Sequence, residues 1–127
     1  MVLQNVRVTE DLSASAILTK AVVRAGTHLN LSNAAMARML GVSSPTITRM
    51  RRGKYEIEQD SKTFELAALF VRLYRSLDAI VGGDDAVAAK WLEAENTALR
   101  DKPINLIQKV AGLIGVLQYL DSRRAIS

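Results

Sequence analysis

Residues 33–50 read NAAMARMLGVSSPTITRM, from Asn33 to Met50, and their spacing decides the fold. Met36, Ala37 and Leu40 share one face of a short helix. Gly41 stands where that helix must stop, and glycine enters the left-handed region without steric cost. Val42 plugs the corner that follows. Ser43 suits the N-cap of a second helix, and Pro45 suits its first turn, where a missing N–H costs nothing. Ile47 and Met50 pin this second helix inward, while the small Ala37 lets it cross close to the first. Two short helices crossing steeply through so tight a turn make a helix-turn-helix.

The outward side of the second helix is expected to carry Ser44, Pro45, Thr46, Thr48 and Arg49, with Arg51, Arg52 and Lys54 beyond. Small polar residues near its start can reach base edges in a major groove, and Arg49 can bond bidentately to guanine, worth about 1–3 kcal/mol of discrimination. Arg51, Arg52 and Lys54 are placed for phosphates, which add affinity without sequence information. No acid lies between Arg38 and Lys54, whereas the whole chain carries only +4, from 17 basic and 13 acidic residues. That local density, more than the net charge, is the footprint of a nucleic-acid face.

Outward from this segment the pattern stays helical. A first helix runs from Ser13 to about Leu29, with Ile17, Ala21, Val22, Ala25 and Leu29 as its stripe. After Gly53, a longer helix spans about 60 to 81 and carries apolar residues on two faces, so it packs against two surfaces. Gly82-Gly83 ends it and marks the best boundary. Asp84 or Asp85 opens a helix holding Val87, Ala88, Trp91, Leu92 and Leu99. Pro103 suits the start of the last helical stretch, in which Gly112 and Gly115 mark a break or a close packing contact. The fold class is therefore all-α. The division reads as a flexible segment over 1–12, a DNA-binding module with its connecting helix over 13–81, and a helical domain over 82–127.

Catalysis finds little support. The chain has no cysteine, which removes disulfides, thiolate zinc sites and cysteine nucleophiles. His28 is the lone histidine and has no partner at ligand spacing. Glu93 and Glu95 point to different faces of a helix, so they form no carboxylate pair. No catalytic residue, metal site or cofactor is expected. Neither a signal peptide nor a membrane span is expected, and a cytoplasmic protein is expected.

The segment Met36-Ala37, Leu40-Gly41-Val42-Ser43, Ile47-Thr48-Arg49 and Gly53 resembles the Xre/Cro-type helix-turn-helix family. Behind it, Trp91-Leu92, Asn96, Pro103 and Gly112 follow in the order seen in the toxin-binding domain of the Xre/MbcA/ParS antitoxins. The combined resemblance covers roughly Leu12 to Ser127. It implies a type II toxin–antitoxin system, in which a RES-domain toxin that depletes NAD is bound and silenced. It also implies repression of the chain's own operon at double-stranded operator DNA, as a homodimer. Trp91, Tyr119, Arg123 and Arg124 are the candidate toxin contacts, with core packing as the competing role for Trp91 and Tyr119. A stand-alone dimeric repressor, whose C-terminal half only dimerises or binds a ligand, is one alternative; a protein-interaction module whose helix-turn-helix no longer binds DNA is the other.

Overall fold

A computed structural model describes residues 13–126; the segment expected to be flexible, 1–12, lies outside them, as does Ser127. The described residues form seven helices and no strand: α1 (Ala14–His28), α2 (Asn33–Leu40), α3 (Ser44–Arg51), α4 (Lys62–Ile80), α5 (Asp85–Glu93), α6 (Pro103–Leu106) and α7 (Val110–Ile126).

Serine chemistry sets the first four starts. Ser13, Ser32, Ser43 and Ser61 each accept a bond from the backbone N–H three residues on, at 3.0, 3.0, 3.2 and 3.1 Å. Each such cap is worth about 1 kcal/mol. Gly41 ends α2 with φ +71°, as the tight turn requires, and α3 resumes after only three residues.

Helix α4 is the spine. It packs on α1 along one side and on α7 along the other, which explains its two apolar faces. Phe70, Leu73 and Leu77 of α4 are fully buried, and the core runs unbroken from Val22 to Leu120. The N-terminal and C-terminal helices thus share one interior.

Three details differ from the sequence expectation. Ile17 lies outside the α1 stripe and is 57% exposed. The inward row passes instead through Thr19, whose hydroxyl donates to the Ser15 carbonyl and accepts the N–H of buried Ile57. A polar residue is tolerated there because both of its bonding roles are filled. Leu99 falls outside α5, which ends at Glu93; the chain instead forms a tight loop closed by an Asn96–Asp101 bridge. Asn96 Oδ1 accepts the Leu99 N–H, and Asp101 Oδ1 accepts from the Lys102 N–H and the Asn105 amide. Those bonds hold the Asp101 carboxyl below its usual range, that from Asn105 most strongly.

Finally, the break near the glycines falls ahead of them, at 107–109, and α7 runs through both. Gly112 is the close contact: a Cβ there would sit 2.0 Å from the Leu106 carbonyl oxygen. Gly115 faces open space. A second close approach went unforeseen at Gly26, where a Cβ would meet the Met36 sulfur at 2.5 Å.

Candidate nucleic-acid interface and the C-terminal face

Helix α3 exposes Ser44, Pro45 and Arg49 on its polar side, with exposed Arg52 as its C-cap and Lys54 just beyond. Ile47 and Met50 face the core, at 0% and 3% exposure. The anchoring half of the motif is therefore as the spacing required.

Three of the expected DNA contacts, Thr46, Thr48 and Arg51, bond within the fold. Thr46 is 8% exposed, because its hydroxyl is spent inside the cap: it pairs with Ser43 Oγ at 2.9 Å and accepts from Arg49 Nη2 at 3.3 Å. The guanidinium of Arg49 also lies over the Tyr55 ring, 5.3 Å from its centroid. Arg49 is thus held between Thr46 and Tyr55 while remaining exposed, an arrangement that lowers the entropy lost when it engages a ligand. Thr46 positions; it does not reach out.

Arg51 is tied into the fold by its whole guanidinium. Its Nε donates to Asn33 Oδ1 at 2.8 Å and its Nη1 to Thr27 Oγ1 at 3.0 Å. Its Nη2 donates to the Leu31 carbonyl at 3.1 Å and meets Met36 Sδ at 3.0 Å. One side chain therefore ties α3 to α1, α2 and the loop between them. Its planar fork of donors suits that task in a way a lysine would not. Thr48 is half-buried against the same Asn33, whose amide donates to Thr48 Oγ1 at 3.2 Å. Nothing in residue type separates a scaffold arginine from a ligand arginine. The signal available was Asn33, a polar residue at the start of α2 on the side facing α3.

At the other end, Trp91 of α5 and Tyr119 of α7 stack with centroids 6.3 Å apart and an interplanar angle of 15°. Arg123 extends the stack, its guanidinium 6.0 Å from the Tyr119 ring centroid. Both aromatics are half-buried, with one side against the core. Arg124 is exposed and donates to Ser76 Oγ at 3.4 Å. Ser76 in turn donates to Asp121, which also pairs with Arg72 at 2.7 Å. The end of α7 is thereby clamped to α4.

His28 is structural in placement and joins the two halves. Its Nδ1 lies 2.5 Å from Asp85 Oδ2, and its ring stacks on Tyr74 at 5.7 Å. Tyr74 donates to the other Asp85 oxygen at 3.4 Å. Burial first, then the charges of Asp78 and Asp85, push the Tyr74 phenol above its ordinary value. No group of three or more metal-binding side chains exists among the described residues. No helix among them is long and apolar enough to cross a membrane.

A family model of the antitoxin Xre-like helix-turn-helix domain matches residues 10–72. A second, of the antitoxin Xre/MbcA/ParS C-terminal toxin-binding domain, matches residues 76–125. The chain belongs to the Xre/MbcA/ParS antitoxin family. No curated protein matches the sequence. In this antitoxin the two matches meet within α4, the helix that both halves pack against. The Trp91–Tyr119–Arg123 stack falls wholly within the toxin-binding match, and the exposed row of α3 falls within the other.

Proposed function

We propose that this antitoxin silences a RES-domain, NAD-depleting toxin by direct binding and represses its own operon as a homodimer in the cytoplasm. It acts by binding, without a catalytic step or cofactor of its own. The observation that carries the DNA half of the reading is the exposed set Ser44, Pro45, Arg49, Arg52 and Lys54 on one side of α3, with Arg49 already oriented. Ser44, Pro45 and Arg49 face base edges; Arg52 and Lys54 take phosphates. Cro-type dimers read half-sites about one helical turn apart.

For the toxin half, Trp91, Tyr119, Arg123 and Arg124 form the contact surface, supported by the stacking of the first three within the matched domain; Arg124, the next residue, is exposed and bonds Ser76. A half-buried aromatic stack flanked by arginine has the composition of a binding hot spot. The RES identity of the toxin rests on the order of Trp91-Leu92, Asn96, Pro103 and Gly112. Co-expression with the product of the adjacent gene tests it. Cellular NAD should fall when that product is made alone and recover when the antitoxin is present. A toxic neighbour that leaves NAD unchanged contradicts the RES assignment, and no physical complex contradicts direct binding.

A further inference from the structure

Helices α4 and α7 leave an apolar groove of about 740 Å³ on the surface. Leu66, Ala68 and Leu69 form the α4 wall, and Val110 and Ile114 the α7 wall. Val110 is 55% exposed and Ile114 38%, and they are two of only five large exposed hydrophobics among the described residues. An apolar concavity of this kind on a small protein marks a docking surface.

The charges at its rim say what docks. Glu65 and Arg72 both line the groove, and they lie two turns apart along α4 with Ala68 and Leu69 between them. In a two-fold interface residue i meets residue j and j meets i. An antiparallel approach of α4 to its own copy, with the axis between Ala68 and Leu69, places Glu65 against Arg72 of the second copy, twice over. Arg72 uses one Nη toward Asp121, and a guanidinium has five donors, so the second contact does not require the first to break. Lys62, the remaining charge at the rim, already pairs with Glu65 at 3.4 Å and is 93% exposed, free to swing aside. The same two-fold leaves the Val110–Ile114 ridges of the two copies on one flank of the α4 pair, against each other.

We infer that this groove is the face on which a second copy of the chain docks, through mutual burial of the two walls and a pair of Glu65–Arg72 bridges. A toxin would be the other occupant, since Val110 and Ile114 fall within the toxin-binding match. Most of the lining, from Lys62 to Arg72, belongs to the helix-turn-helix match instead, and its charges complement themselves. The inference specifies the dimer assumed above for operator binding, and its test needs neither DNA nor toxin.

The test is the solution mass of the purified full chain, by light scattering across a dilution series, for wild type, Val110→Lys and Glu65→Lys. Both substituted residues are exposed, so neither change removes core, and circular dichroism verifies the fold. Wild type should sediment and scatter as a dimer. Each variant should raise the dimer dissociation constant by roughly 10-fold or more, through a buried lysine or a like-charge contact. Wild-type mass in both variants overturns the proposal, as does a monomeric wild type. So does a Val110→Lys protein that stays dimeric but no longer captures the adjacent-gene product, because the groove would then belong to the toxin.

Discussion

The N-terminal and C-terminal helices share one core but are held in place by different means. Helices α1 to α4 each begin on a serine that caps its own backbone, and α2 ends on a left-handed glycine. Beyond Gly83, α5 has such a side-chain cap, from Asp84, while α6 has none. Order there leans on contacts between elements: Gly112 of α7 against Leu106 of α6, Asp121 against Arg72 and Ser76, Trp91 against Tyr119. A segment written in local signals is robust to single changes. One held by long-range contacts concentrates its dependence on a few positions.

The sharpest break should come at Gly112. An alanine there drives its Cβ into a backbone carbonyl that cannot rotate away, and should cost about 3 kcal/mol, with α6 displaced. Thermal or urea unfolding measures it; a near-neutral Gly112→Ala would show that the α6–α7 contact is loose. Next comes Arg51→Ala, an N-terminal position that, like those of the C-terminal half, depends on residues outside its own helix. Loss of its bonds to Asn33, Thr27 and Leu31 should cost about 2–3 kcal/mol in denaturant. If stability is kept while DNA affinity falls, Arg51 belongs to the interface after all. Ser32→Ala should remove only about 1 kcal/mol, the worth of one cap.

The smallest effect expected is acid sensitivity of the 96–105 loop. Asp101 is depressed in the fold, so its contribution is present above the ordinary carboxylate value of 3.8 and is lost as pH falls through the lower folded value. The difference in melting temperature between wild type and Asp101→Asn should therefore shrink on acidification below that point. A difference that persists unchanged at low pH contradicts the assignment.

This contrast also explains what could be read in advance. Helix starts at Ser13, Ser32, Ser43, Ser61 and Asp84, and the stop at Gly41, are short-range features that a sequence displays directly. The inward roles of Ile47 and Met50 follow from helical period alone. Thr46, Thr48 and Arg51 are less exposed than expected because period gives a direction only to within a quarter turn, and each side chain has a partner that the period does not encode. Thr19 displaced Ile17 from the α1 stripe for a similar reason: the partner that makes its burial tolerable is Ile57, far along the chain. The His28–Asp85–Tyr74 and Trp91–Tyr119 contacts join residues with no shared local pattern, so no spacing rule announces them.

Whether α3 reads DNA is decided by one titration. Fluorescence anisotropy of labelled duplex from immediately upstream of the gene should be followed for wild type, Arg49→Ala and Arg52→Ala at several salt concentrations. Arg49→Ala should lose the preference for this duplex over a scrambled one, while Arg52→Ala should weaken both equally and flatten the salt slope by about one unit. Arg49→Ala binding with wild-type affinity and preference would contradict the assignment of α3 as the reading helix.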